Sequence, residues 1–164
     1  MKPFAALLMS LIIAATACQT STVTHGVPNL AQVNGSVWRG GQPTAEGWAY
    51  LRSLGVTNVV KLNPESEGVD SQAGVTVFYF PISFEQQMMG GPSKETVKAA
   101  VGHIAPFTYV HCSHGFDRTG VVIAVYRTQT GMTKGEAEKE MLAHGFHKEL
   151  FGLWSFWENY QPEK

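Results

Sequence analysis

The chain is short of cysteine and of any excess of one charge. Two cysteines, Cys18 and Cys112, stand among 164 residues, too few for the bridges that staple small secreted domains. Twelve basic and thirteen acidic residues leave a formal charge of −1. No basic run stands out, so the electrostatic footprint of a nucleic-acid binder is missing. Internal repeats and low-complexity tracts are absent. The apolar stretch from Phe4 to Ala15, interrupted only by Ser10, is shorter than the roughly 20 residues that cross a bilayer comfortably. Of the six histidines, His25, His103, His144 and His147 lie at no ligand spacing from a cysteine or a carboxylate cluster. That argues against a metal site, and no cofactor is expected.

What the N-terminus does have is an order: Lys2, the apolar stretch, then small residues, the arrangement of a bacterial export signal. Ala15-Thr16-Ala17-Cys18 resembles a lipobox, whose cysteine is acylated and becomes the first residue of the mature protein. Ala15-x-Ala17 also suits ordinary cleavage, which would leave a soluble periplasmic protein. The expected organisation is a signal peptide over 1–17, a lipid-anchor cysteine (Cys18) and tether over 18–33, and a folded domain over 34–164. Gln19 to Ala31, with its Thr, Ser and Pro28, reads as tether. Gln19 is not the aspartate linked to inner-membrane retention, so the expected address is the outer membrane, facing the periplasm. Removing 17 of the 164 residues leaves 147, enough for one domain with a core. Acylation of Cys18 would leave Cys112 unpaired and open to reversible oxidation.

Punctuation and patterning give the elements. Val37-Trp38-Arg39 is a short strand. Thr44 caps a helix to about Leu54, closed by Gly55. Val56 to Lys61 is a buried strand, Asn63 to Gly74 a polar loop, and Val75 to Phe80 a β-branched and aromatic strand. Ser93 caps a helix to about His103, and Phe107 to His111 is the central strand. A helix runs from Arg118 to Thr130 and stops at Gly131. Thr133 to Glu136 has capping-box spacing and opens a helix to about His144. Leu150 to Tyr160 is an aromatic helix, with Trp154, Phe156 and Trp157 expected in the core. Such alternation implies a single α/β domain: a short, largely parallel sheet of four to five strands flanked by helices.

Chemistry concentrates between the central strand and the helix that follows it, in His111-Cys112-Ser113-His114-Gly115-Phe116-Asp117-Arg118-Thr119-Gly120. The chain must turn tightly there, so backbone N–H groups from Ser113 to Arg118 can converge on one concavity at a helix N-terminus, a ready anion site. Gly115 supplies the conformational freedom. Arg118 adds a planar fork that can grip two phosphate oxygens. The same positive field favours thiolate at Cys112, giving a low pKa and a nucleophilic sulfur. Thr119 can place its hydroxyl near that sulfur. His111 orients the loop, and the His114 ring can form part of the pocket mouth. The loop lies at the carboxyl end of a strand, where α/β folds place their sites. Arg39 is open to several readings: a second anion contact, a structural ion pair or a strand-end cap.

This segment resembles the active-site signature of the cysteine-dependent protein tyrosine phosphatases, in particular their dual-specificity-like branch. Val37-Trp38-Arg39-Gly40-Gly41-Gln42-Pro43-Thr44 is similar to the opening motif of many bacterial and plant members, and the likeness runs from about Ser36 to Tyr160. The resemblance implies metal-independent hydrolysis of phosphomonoesters, of phosphotyrosine or dual-specificity type. Cys112 would be the nucleophile, and Ser113 to Arg118 would hold the phosphate. The partner would be a phosphorylated protein or a small phosphomonoester, with membrane contact only through Cys18.

The resemblance also exposes a departure. Related enzymes carry an aspartate, the general acid, directly after the Pro-Ile-Ser-like stretch. Here Phe80-Pro81-Ile82-Ser83 is followed by Phe84, with Glu85 one place later. Asp117 within the loop is one substitute, as in relatives with Asp-Arg-Thr-Gly, and Glu85 is the other. Gly90-Gly91-Pro92 suggests that the intervening loop can move. The alternative function is a phosphate-binding pseudophosphatase or tethered interaction module, which Phe84 at the acid position would suit. A sulfurtransferase or arsenate reductase is a third class, fitted less well by the Arg118-Thr119-Gly120 ending. Phe116 stands where some lipid-directed relatives carry lysine, which favours protein or small phosphomonoester substrates.

Overall fold

The computed structural model describes residues 22–65 and 74–162. The expected signal peptide and Cys18 lie outside these residues, as does most of the polar loop read between Asn63 and Gly74.

Seven strands and five helices follow in order. They are β1 (Val23–Thr24), β2 (Val27–Pro28), β3 (Ala31–Asn34), β4 (Val37–Gly40), α1 (Ala45–Ser53), β5 (Asn58–Lys61), β6 (Thr76–Tyr79), α2 (Lys94–Gly102), β7 (Thr108–His111), α3 (Asp117–Gln129), α4 (Lys134–Ala143) and α5 (Phe151–Asn159). A single π-helical turn, Gln86–Gly90, precedes α2. The main sheet has the order β3-β4-β7-β5-β6. Four of its strands run parallel and β3 is antiparallel at the edge. This is the single α/β domain with a largely parallel sheet that the alternation implied, and the strand number is five.

Strand alternation divides the core. Val59 of β5 is level with Tyr109 of β7, and Val60 with Val110. Successive side chains leave a strand on opposite faces. Val59 and Tyr109 accordingly join Val27, Trp48, Leu51 and Val56 under α1. Val60 and Val110 join the larger cluster with residues of α2, α3, α4 and α5. Helix α3 runs through this second layer, buried from Arg118 to Val125. A helix apolar on every side can be accommodated only in a core. The expected helix starts hold: Thr44 Oγ1 accepts from Gly47 N at 3.2 Å, and Ser93 Oγ from Thr96 N at 3.0 Å. Thr133 and Glu136 form the reciprocal capping box. Trp157 is fully buried, and Trp154 and Phe156 pack against the same core, as expected of the aromatic helix.

The domain begins earlier than the expected boundary at residue 34. Residues from 22 onward, assigned to the tether, form the β1–β2 hairpin and β3, and Val27 is fully buried. The polar composition misled because this segment binds through its backbone. Thr44 N donates to Gly26 O at 2.9 Å and Gly41 N to Pro28 O at 2.7 Å, contacts that leave no mark on hydropathy. The parallel arrangement then brings the carboxyl ends of β4, β5, β6 and β7 to one edge of the sheet, and the chemistry-bearing residues gather there.

Candidate active site

Cys112 directly follows β7 and is 3% exposed, a free thiol at the floor of the turn into α3. The turn is shaped from behind. Ser113 O accepts from Gln42 N at 3.0 Å, His114 O from Asn29 Nδ2 at 2.6 Å, and Gly115 O from Arg39 Nη2 at 2.9 Å. Phe116 O accepts from Gly120 N at 2.9 Å and from Arg39 Nη2 at 3.5 Å. Four consecutive carbonyls are thus engaged on the outer side of the loop, which leaves its amides for the concave side. Gly115 N is one of these and donates to Cys112 Sγ at 3.3 Å.

The backbone needs glycine here on two counts. Gly115 has φ +83, and a Cβ on it would lie 2.4 Å from Gly40 C. Opposite, a Cβ on Gly41 would lie 2.9 Å from Ser113 O and from His114 C. The Gly40-Gly41 pair and the loop are therefore pressed backbone to backbone. The opening motif of the domain is the rear wall of the phosphate loop.

Arg118 reaches across the mouth of the turn. Its Nη1 donates to Ile82 O and to Glu65 Oε2, each at 3.2 Å, and its Nη2 to Ser113 Oγ at 3.3 Å. Ser113 Oγ also donates to Glu65 Oε2 at 3.0 Å. Burial works to raise the Glu65 carboxyl, but its own backbone amide, then Arg118 and Ser113, outweigh that and hold it below the usual carboxylate range. An anion thus already occupies part of the donor fork.

Arg39 is 1% exposed. Burial pushes its guanidinium down to about 10, against the opposing influence of Cys112 and then Glu140. His144 on the same side is held below its usual range by burial and, next, by the charge of Arg39. Among the described residues Arg39 makes no ion pair and is not at the mouth of the turn; of the readings that the sequence left open, a cap on backbone carbonyls is the one it fits. It lies behind the loop and holds carbonyls.

Of the expected site residues, Cys112, Ser113, Gly115, Phe116, Asp117, Arg118 and Thr119 are brought into one turn, with the His114 side chain exposed at its rim. Thr119 is fully buried and its hydroxyl donates to Gly40 O at 3.5 Å. Asp117 Oδ1 accepts from His147 N at 2.8 Å and lies 3.0 Å from His147 Nδ1. The Phe116 ring meets His147 edge to face at 5.8 Å. Glu85 is exposed where the π-helical turn begins. Among the described residues, it makes no hydrogen bond or ion pair to the phosphate loop. Sequence reasoning missed Glu65, Asn29 and His147. The first two come from segments read as polar loop and tether, and nothing in their spacing ties them to Cys112. Among the described residues, no group of three or more His, Cys, Asp or Glu could hold a metal ion.

A cysteine and an arginine with five residues between them, cradled between a central parallel strand and a core helix, define the architecture of the cysteine-dependent phosphatases of dual-specificity type. The chain belongs to the family described as DSP-PTPase phosphatase fused to NAD+ kinase, which it matches over residues 18–151. It is 29% identical over 108 residues to the inositol diphosphatase DSP2 of Oryza sativa subsp. japonica, covering 60% of this chain and 53% of that protein. The chain thus spans about half the length of this curated relative. Among solved structures it is similar to the core catalytic domain of the PP-IP phosphatase Siw14 from S. cerevisiae in complex with citrate. That match has a TM-score of 0.68 at 19% identity, covering 87% of this chain and 91% of the other. It is also similar to P. aeruginosa TpbA, with a TM-score of 0.63 at 22% identity over 86% and 89% of the two chains. At these identities the structural likeness is one of fold.

Proposed function

We propose that this chain hydrolyses phosphomonoesters through a cysteinyl-phosphate on Cys112, without a metal. The observation that carries the reading is the four-carbonyl tie-back of the loop from Ser113 to Phe116. It fixes a ring of amides over Cys112 before any substrate arrives, so little reorganisation is left to the reaction. In the first step Cys112 Sγ attacks phosphorus, the bond to the leaving oxygen breaks, and Asp117 supplies that oxygen with a proton. In the second step water attacks the thiophosphate, Asp117 takes the water proton, and the thiolate departs. Arg118 and the loop amides hold the phosphoryl oxygens throughout. Asp117 is favoured over Glu85 because it adjoins Arg118 within the loop, with one oxygen held by His147.

The substrate we favour is an aryl or protein phosphomonoester. Phe116 is half-buried in the loop, and Phe84, 68% exposed, follows two residues after Ile82, whose carbonyl binds Arg118. Phe116 brings an aromatic ring and no charge to the loop, which suits an aryl ester better than a polyanion. TpbA has been crystallised in complex with pTyr, whereas the rice relative is an inositol diphosphatase. A panel of p-nitrophenyl phosphate, phosphotyrosine peptide, phosphoserine peptide and inositol polyphosphate tests the choice on protein lacking the first 18 residues. Turnover of the aryl esters, insensitive to EDTA and abolished in Cys112→Ser, is expected. Binding of phosphate without turnover of any ester would instead favour the pseudophosphatase.

We further propose that the enzyme is exported and attached to the outer membrane, facing the periplasm, through acylated Cys18. Palmitate labelling lost in Cys18→Ala tests this. A soluble, unlabelled periplasmic protein would point to ordinary signal cleavage.

A further inference from the structure

Arg39 stands apart from every other charged group near the phosphate loop. It occupies the third position of β4, is 1% exposed, and bonds through a single nitrogen. Nη2 serves Gly115 O at 2.9 Å and Phe116 O at 3.5 Å, while buried Nε and Nη1 have no hydrogen-bond partner among the described residues. A buried guanidinium so incompletely paired is costly, and an apolar side chain of similar volume is often no less stable in such a place. Holding two carbonyls does not require a full positive charge either, since a neutral amide could donate to them.

The charge has an evident recipient. Arg39 holds Gly115 by its carbonyl, and the N–H of the same Gly115 donates to Cys112 Sγ at 3.3 Å. Cys112 is the first of the charges that favour the protonated guanidinium, ahead of Glu140 and Tyr109. Glu140 is shared, because its carboxylate lies 3.0 Å from Arg127 Nε. His144, beside Glu140 on the same helical segment, is held toward its neutral form by burial and then by Arg39. Cys112, Glu140, Tyr109, Arg127 and His144 are the titratable groups that feel this cation. Among them the Cys112 sulfur is the group that the proposed reaction leaves negative.

We infer that Arg39 is a positioning residue of the phosphatase site: a second cation, buried behind the phosphate loop, that fixes the Gly115 N–H over the sulfur and supports the negative charge the sulfur carries in the reaction. The inference rests on the proposed Cys112 chemistry and deepens it. Arg118 meets the phosphate from the front, whereas Arg39 lies behind the loop and touches no substrate. Its loss should therefore act on the nucleophile and on kcat, leaving phosphate binding almost intact.

The test compares Arg39→Met, Arg39→Gln and Arg39→Lys with wild type. The Gln variant keeps a donor for Gly115 O and loses only the charge; the Lys variant keeps the charge and loses the fork. Iodoacetamide alkylation of Cys112 is followed across pH, alongside kcat and inhibition by inorganic phosphate. In the Met and Gln variants Cys112 should be alkylated about tenfold more slowly than in wild type at pH 6. Their kcat should fall about tenfold or more, with phosphate inhibition changed less than about threefold, since catalytic and binding losses separate when substrate is not contacted. Arg39→Lys should recover most of the alkylation rate. A folded Arg39→Gln protein with the wild-type alkylation profile and kcat would overturn the inference, even if Arg39→Met failed to fold. The proposed function stands or falls separately, on whether Cys112→Ser abolishes turnover.

Discussion

Glu65 sets a carboxylate oxygen 3.2 Å from Arg118 Nη1 and 3.0 Å from Ser113 Oγ. Those are the donors that a phosphoryl group needs, so the chain presents its own anion to its own anion site. The Glu65 side chain is half exposed and can leave the fork without disturbing the core. Substrate binding then becomes an exchange of one anion for another at Arg118.

Removing that competitor should tighten phosphate binding. Exposed ion pairs contribute about 0.2–1 kcal/mol, so Glu65→Gln is expected to lower the inhibition constant for inorganic phosphate about 1.5- to 5-fold. The pH dependence has a definite sign. Glu65 is held below the usual carboxylate range, so it stays charged as pH falls through that range and releases Arg118 only below it. The difference between wild type and Glu65→Gln should be flat above about pH 5 and close at lower pH. Weaker phosphate binding by the Gln variant at neutral pH would instead make Glu65 a support for Arg118.

Asp117→Asn separates acid catalysis from loop shaping. A general acid contributes about 10²–10⁴-fold, so kcat should fall by more than tenfold while phosphate affinity holds. A leaving group that needs no proton should be hydrolysed nearly as fast by the variant as by wild type. His147→Ala, which removes the ring from Asp117 Oδ1 and keeps the backbone N–H on it, should change kcat and spare the alkylation rate of Cys112. Full activity in Asp117→Asn would remove Asp117 from the reaction.

Gly115→Ala tests the backbone contact beneath the sulfur. With φ +83 and a Cβ placed 2.4 Å from Gly40 C, neither the loop nor β4 has room to yield. Forcing a side chain into such a backbone conformation costs of order 1–3 kcal/mol before the clash is counted. A lower urea midpoint and loss of turnover are expected together.

Trp157 anchors the last helix. It is fully buried, and its Nε1 donates to Glu138 at 3.1 Å. Trp157→Ala should lower stability by about 3–5 kcal/mol, measured by urea unfolding. A near-neutral effect would contradict a core role for Trp157.

Much of this was legible in residue order. Cys112, Gly115 and Arg118 are fixed by local geometry: a strand end, a tight turn and a helix start within ten residues cannot be arranged in many ways. The caps at Thr44, Ser93 and Thr133 are equally local. What stayed hidden depends on parts of the chain far apart in sequence. Asn29 reaches His114 across 85 positions and Arg39 reaches Gly115 across 76. The segment around Asn29 read as tether because backbone bonds, not apolar side chains, hold much of it to the domain. Glu65 read as one polar loop residue among several, since only the parallel alignment of β5 with β7 brings its loop beside Cys112. Phe84 in place of an aspartate after Ser83 was the one departure visible from sequence, while the tie of Asp117 to His147 required the fold.

The central claim is that Cys112 carries the phosphoryl group between two chemical steps. Rapid acid quench of enzyme with p-nitrophenyl phosphate, followed by peptide mass spectrometry, tests it directly. A phosphoryl adduct confined to Cys112, absent in Cys112→Ser and formed unchanged in the presence of EDTA, is the expected result. Turnover that proceeds with no adduct on Cys112, or that survives Cys112→Ser, would contradict it.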